Sequence, residues 1–156
     1  MAGTPATAAL DKAGVAFTQH EYAYDPSAER IGIAAAEAMG VPASAVLKTI
    51  MARVDERPVC VILPSDREIA MKELARGLAA KAARMMTVEE AERFTAYKVG
   101  GVSPLGQKGR AEVVLDAGVD DEAAVFVNGG RRGLQLRLRA GDLAGATAAK
   151  RIAVAR

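Results

Sequence analysis

The residue best suited to chemistry is Lys48, in the run Val46-Leu47-Lys48-Thr49-Ile50-Met51-Ala52-Arg53-Val54. Side chains alternate along a strand, so Val46, Lys48, Ile50, Ala52 and Val54 should share one face. That face is apolar except for Lys48. An ammonium aimed into an apolar layer is costly unless it is paired or faces a cavity. Two readings follow. The lysine reaches water along its stem near a strand end, or it stands at the mouth of a pocket and fixes a carbonyl, phosphate or hydroxyl. A second candidate is the segment Gly100-Gly101-Val102-Ser103-Pro104-Leu105-Gly106. Glycines let the backbone approach a ligand, and successive free amides can form an anion-binding concavity. A plain connector has the same composition. The spacings of a Walker loop and of a dinucleotide fingerprint are both absent. The third is Asn128-Gly129-Gly130-Arg131-Arg132-Gly133-Leu134, which closes a hairpin and whose two arginines could also touch phosphates.

Conventional nucleophiles are scarce. The one cysteine, Cys60, sits in the apolar run Val59-Cys60-Val61-Ile62-Leu63, where a buried thiol is a small hydrophobe and a poor nucleophile. The one histidine, His20, reads as an edge or surface residue rather than a base. A Cys–His dyad would require Cys60 and His20 to meet in space. A disulfide framework and the usual zinc cages are excluded by the counts. Tyr22 and Tyr24, two apart, face the same way and either wall a site or cover a sheet. The residues alone describe a small-ligand or anion-binding cavity built on Lys48 and two glycine turns, with no metal.

Several elements must position these groups. Thr4 caps and Pro5 opens a first helix that ends at Gly14. Residues 15–23 read as a strand, closed by Asp25-Pro26-Ser27. A short helix runs from Ile31 to Met39, with Gly40 after it. Residues 46–54 and 59–64 are strands joined through Asp55-Glu56-Arg57-Pro58. Ser65-Asp66 should start a helix to Gly77, and Thr87-Val88-Glu89-Glu90 is a capping box for another. Strands are expected at 112–116, 124–128 and 133–138, a helix from Gly141-Asp142, and a closing strand at 152–154. Hairpins beside helices favour an α+β fold, a mixed sheet with helices around it, over a doubly wound one. With no repeat, linker or shift of composition, residues 1–156 read as one domain.

The chain has 156 residues, 21 basic and 19 acidic, and 51% are hydrophobic. Alanine supplies 34 of the hydrophobic residues and aromatics are only 4%, so Leu, Ile, Val and Met must build the core. The formal net charge of +2 is far below what duplex-DNA binding alone requires. Residues 100–156 hold nine Lys/Arg and six Asp/Glu, a mild basic bias that suits a phosphate-bearing ligand. No apolar run approaches a membrane span and no signal peptide is evident, so a cytoplasmic protein is expected.

Three motifs in order, Leu47-Lys48-Thr49, Gly100 to Lys108, and Gly129-Gly130-Arg131-Arg132-Gly133-Leu134, resemble the signature set of the YbaK family. That family comprises freestanding Cys-tRNA(Pro) deacylases related to the editing domain of bacterial prolyl-tRNA synthetases. The resemblance covers the chain from Thr4-Pro5 to about Ile152. It implies a β-barrel-like mixed sheet surrounded by helices, and hydrolysis of the ester joining a mischarged cysteine to proline tRNA, without a cofactor. By resemblance, Lys48 and Gly101 are the catalytic positions. Tyr22, Ile31, Thr49, Gly100, Ser103, Pro104, Asn128, Gly129 and Gly130 line the substrate site. Ile31 stands where relatives usually carry an aromatic, and Asn128 where serine is common.

The resemblance also implies why no nucleophile is evident: the substrate's own thiol attacks its ester, releasing tRNA and a cyclic thiolactone. Such a reaction needs a snug cavity, backbone donors for the oxyanion and a positioned cation. Two alternatives stay open. One is the same fold removing another small amino acid, such as alanine, from proline tRNA with water as nucleophile. The other is a non-catalytic module that binds aminoacyl-tRNA ends or nucleotides. The weak charge leaves little surface for gripping a whole tRNA, so association with prolyl-tRNA synthetase is expected to supply tRNA selection.

Overall fold

The computed structural model describes residues 3–156. Helix α1 (Pro5–Ala13) begins where expected: the Thr4 side chain accepts from the Thr7 N–H, and Gly14 ends the helix at φ 70°. Helix α2 (Ile31–Met39) likewise ends on a left-handed Gly40. Strands β2 (Leu47–Val54) and β3 (Arg57–Pro64) form the central hairpin. Its turn is only Asp55-Glu56, at φ 47° and 64°, the tight two-residue kind. The Asp55 carboxylate accepts from the Lys81 and Ala82 N–H groups and holds that backbone in place.

Two expectations are corrected here. Arg57 and Pro58 belong to β3 rather than to the turn. Pro58 is tolerated because pairing of β3 with β5 (Glu112–Asp116) starts only at Val59, so no ladder donor is lost. Helix α3 spans Met71–Gly77 and does not begin at Ser65. Residues 65–70 are drawn instead into pairing with the chain end. The Glu68 and Arg156 backbones exchange hydrogen bonds, and Ala70 N–H donates to the Val154 carbonyl.

Beyond these lie β1 (Thr18–Glu21), β4 (Ala83–Met85), α4 (Val88–Thr95), β6 (Ala124–Asn128), β7 (Leu134–Arg139), α5 (Ala140–Thr147) and β8 (Lys150–Ile152). Strand β4 was not foreseen. The strands form a five-stranded mixed sheet, β4-β2-β3-β5-β8, and a three-stranded antiparallel sheet, β1-β7-β6. The expected mixed sheet with helices is present, but it does not close into a barrel. Among the described residues a single parallel bridge, Val46 to Phe126, joins the two sheets. The largest core lies between them: Leu47, Met51, Cys60 and Ile62 meet Val127, Leu134 and Leu136, with Leu10 of α1 and Leu143 of α5. On the other face of the five-stranded sheet, Ala52, Val54 and Val61 pack with Leu74 of α3. Helix α2 covers the outer face of the small sheet through Ala36, Val46 and Phe126.

Candidate active site

The far edge of β2 is shared by two neighbours that do not meet. Strand β6 reaches it only at Val46 and strand β4 only from Ala52 onward. Between them Lys48, Thr49 and Ile50 pair with β3 alone, and a cavity of about 470 Å³ opens there. Backbone polar groups of alternate strand residues point to one edge. The Met51 carbonyl accepts from Met86 N–H across this edge at 2.9 Å. Thr49, two residues earlier, therefore turns its N–H and C=O into the gap. Its Oγ1 is buried and has no hydrogen-bond partner.

Lys48 lines the same cavity, half-buried, and makes no ion pair among the described residues. Burial and then the nearby Arg30 guanidinium hold its ammonium pKa below the usual lysine value, while Glu68 and Asp66 pull it back up. The first turn of α2 supplies another wall through Ile31 and Gly32. A Cβ on Gly32 would overlap the Ser65 side chain, standing 2.8 Å from its Cβ, so glycine permits the helix to pack this closely. Met86, Val88 and Ala91 contribute an apolar rim, of which Val88 and the adjoining Met85 are more than half exposed.

Of the residues singled out from sequence, Lys48, Thr49, Ile31, Gly100 and Asn128 line this cavity. Tyr22 lines a neighbouring one of about 360 Å³, and Ile31 belongs to both walls. The structure does not bring Gly101, Ser103, Pro104, Gly129 or Gly130 to the cavity wall. The Gly101 N–H donates to the Lys98 carbonyl at 2.7 Å, so it is not a free oxyanion donor. A Cβ there would stand 2.9 Å from the backbone of Arg131 and Arg132, so Gly101 acts by letting the two turns touch. Ser103 is buried with its Oγ accepting from Leu105 N–H, and Pro104 is buried beside it. The Gly129 N–H donates to Leu134, and the Gly130 N–H to Asn128 Oδ1.

Asn128 ties the two glycine turns together, since its Nδ2 also donates to the Gly100 carbonyl at 3.0 Å. The paired arginines are structural as well. Arg131 reaches Glu21, and Arg132 donates to the Val99 carbonyl while lying over the Tyr24 ring. Cys60 is wholly buried, and burial pushes its thiol up to about 12. The His20 ring bonds Thr18 and sits edge-on to Phe126, so no Cys–His dyad forms. Gln135, Arg30 and Gly32 were missed from sequence. For Gln135 the signal was a polar residue between Leu134 and Leu136, which reads as an ordinary solvent-facing position.

What this arrangement offers is a cation and a backbone amide edge in a half-open gap, lined by no thiol or imidazole among the described residues. Residues 25–146 match the aminoacyl-tRNA editing domain family. The chain belongs to that family. Editing is deacylation, so this editing domain is a hydrolase acting on the ester of an aminoacyl-tRNA. It is 28% identical over 139 residues to EbsC of Enterococcus faecalis, a candidate Cys-tRNA(Pro)/Cys-tRNA(Cys) deacylase, covering 86% of this chain and 82% of EbsC. Over 99 residues it is 30% identical to a proline–tRNA ligase of Nitratidesulfovibrio vulgaris, covering 64% of this chain and 17% of the ligase. A solved candidate trans-editing enzyme for prolyl-tRNA synthetase superposes at a TM-score of 0.82 over 100% of this chain and 99% of that one. At 19% identity that likeness concerns the fold. Among the described residues no helix is long and apolar enough to cross a membrane.

Proposed function

We propose that this editing domain, as one unit in the cytoplasm, removes cysteine from mischarged proline tRNA using the thiol of the substrate. The observation that carries this reading is a cavity with a partly desolvated lysine and, among the described residues, no thiol or imidazole in its lining, Cys60 being buried with its thiol pKa raised. The name of the EbsC relative supports the same substrate. The substrate sulfur attacks the ester carbonyl carbon, the bond to the ribose oxygen breaks, and the thiol proton passes to that oxygen. Free tRNA and a cysteine thiolactone leave, and water later opens the ring. Holding sulfur and carbonyl in attack geometry supplies much of the rate. Lys48 and the Thr49 N–H stabilise the developing oxyanion, while Ile31 and Gly100 bound the aminoacyl group. Asn128, Gly101, Gly129 and Gly130 hold the turns that shape the wall, with Ser103 and Pro104 buried behind.

A deacylation panel tests the reading. Cys-tRNA(Pro) should be cleaved at least 10-fold faster than Ser- or Ala-tRNA(Pro), because only cysteine carries the attacking thiol. Cys60→Ala should keep turnover within about 2-fold. Equal rates on the serine ester, or loss of activity in a folded Cys60→Ala protein, would defeat the thiol mechanism. Faster cleavage of the alanine ester would favour water as nucleophile. Prolyl-tRNA synthetase is proposed as the partner that selects the tRNA. Adding it should sharpen the preference for proline tRNA over other cysteinylated tRNA, and failure to co-elute with it at low salt counts against the association.

A further inference from the structure

The net charge of +2 conceals an uneven distribution. Between Glu92 and Glu112 the chain carries Arg93, Lys98, Lys108 and Arg110 and no acidic residue. Folding brings these cations together. The Lys108 N–H donates to the Thr95 carbonyl and the Gly109 N–H to the Phe94 carbonyl, so the end of α4 and the segment 106–110 lie side by side. A Cβ on Gly109 would overlap the Phe94 ring, 2.6 Å from its Cζ, so glycine permits this close approach. Arg93 and Arg110 flank that contact. Arg132 joins from the second glycine turn, its Nε donating to the Val99 carbonyl beside Lys98. Arg93, Lys98, Arg110 and Arg132 are exposed, and Lys108 is half-buried. Among the described residues none of these cations makes an ion pair, not even Arg93 with Glu89 one turn before it. Other exposed arginines are neutralised, Arg84 by Glu56 and Glu90, Arg139 by Glu122 and Asp142. The two bordering acids are already engaged. Glu92 accepts from the Val99 N–H at 2.8 Å, and Glu112 lies 2.7 Å from Lys150 Nζ.

We infer that this strip carries the phosphate backbone of the tRNA 3′ strand as it leaves the cavity. The inference rests on the aminoacyl-tRNA reading of the site and not on which amino acid is removed. The strip starts at the cavity: Val99 and Gly100 line it, and Lys98 and Arg132 stand next to Val99. With the ester beside Lys48, the RNA emerges through the mouth, and each further nucleotide adds one phosphate. The rim at Met85 and Val88 is apolar, whereas the side at Val99 is basic and suits that phosphate chain. Clustered cations repel one another, and a polyanion relieves the repulsion. Arginine adds a planar fork that matches phosphate oxygens. Phosphate contacts position a nucleic acid without reading its sequence. The strip therefore supplies affinity and leaves tRNA selection to the proposed synthetase partner.

The test is binding of a deacylated RNA hairpin that reproduces the proline-tRNA acceptor stem with its single-stranded 3′ end, followed from about 50 to 200 mM salt. Each phosphate contact contributes about 0.7–0.9 to the slope of log K against log salt. Contacts from all five cations should weaken wild-type binding by about 100- to 500-fold across that range. The variant Arg93→Gln/Lys98→Gln/Arg110→Gln keeps two of them and should weaken by only about 10-fold. Its three side chains are exposed, so Tm should hold. The control Lys72→Gln/Lys81→Gln/Arg137→Gln removes the same charge from exposed positions elsewhere and should keep the wild-type slope. No salt-dependent binding by wild type, an unchanged slope in the strip variant, or equal losses in both variants would overturn the inference. So would lost co-elution with prolyl-tRNA synthetase beside intact RNA binding, which would assign the strip to a protein partner. Because the hairpin carries no amino acid, its result is independent of the deacylation panel.

Discussion

Lys48→Ala should lower kcat for deacylation by about 10²- to 10³-fold, the size seen when one oxyanion-stabilising group is removed. KM should change far less, because the ammonium matters most when charge develops on the carbonyl oxygen. Tm should stay within a few degrees. The folded pKa of Lys48 lies below its unfolded value, so the unfolded chain binds the proton more tightly between the two. Stability from this group therefore rises with pH through that window, and at neutral pH the charged lysine is a cost to the fold. Removing it relieves that cost while losing some packing of its stem. Activity runs the other way. The cation is lost as pH rises through the lowered pKa, so the alkaline limb of kcat should fall below the usual lysine range near 10.5. Single-turnover rates, corrected for spontaneous ester hydrolysis, check both claims. Lys48→Ala activity within 3-fold of wild type would remove the lysine from the chemistry.

The lysine was legible because strand alternation is a local rule. Val46, Ile50, Ala52 and Val54 announced an apolar face, and Lys48 broke it. The helix ends at Gly14 and Gly40 and the capping box at Thr87 were equally local, and all three stand where expected. The cavity was legible only in part: Lys48, Gly100 and Asn128 were expected around it and line it, but its remaining walls are made by partners absent from any one segment. Strand β4 is three residues with no alternation, and it exists because Met86 and the chain before it find the free edge of β2. Gln135 reads as solvent-facing until α2 folds over that side of the small sheet. Gly101 shows the converse. Its motif suggested a free amide, but the turn spends that amide on Lys98, and what glycine contributes is space. The open edge at Thr49 emerges only from strand order, which depends on contacts far apart in the chain.

Gly106→Ala should cost about 2–5 kcal/mol, the sum of a left-handed backbone of about 1–2 kcal/mol and steric overlap of about 1–3. Gly106 sits at φ 68°, and a Cβ there would overlap the Pro5 carbonyl, 2.5 Å from its carbon and 2.9 Å from the Ala6 nitrogen. Backbone atoms cannot rotate aside as a side-chain tip can, so relief requires moving the start of α1. That start is tied to the site: the Thr4 hydroxyl donates to the Gly129 carbonyl, and Tyr97 Oη donates to the Leu105 carbonyl next to Gly106. Displacing α1 therefore loosens both glycine turns, and with them the Asn128 link that sets the cavity wall. At roughly 2–4 °C per kcal/mol for a chain of this length, Tm should fall by about 4–20 °C, and deacylation should fall with it. Gly145→Ala is the matched control. Gly145 lies within α5 with open space around its Cβ position, so alanine should raise Tm by about 2 °C and leave activity unchanged. Similar shifts in the two variants would mean that loss of a glycine, rather than the contact with Pro5, governs the response.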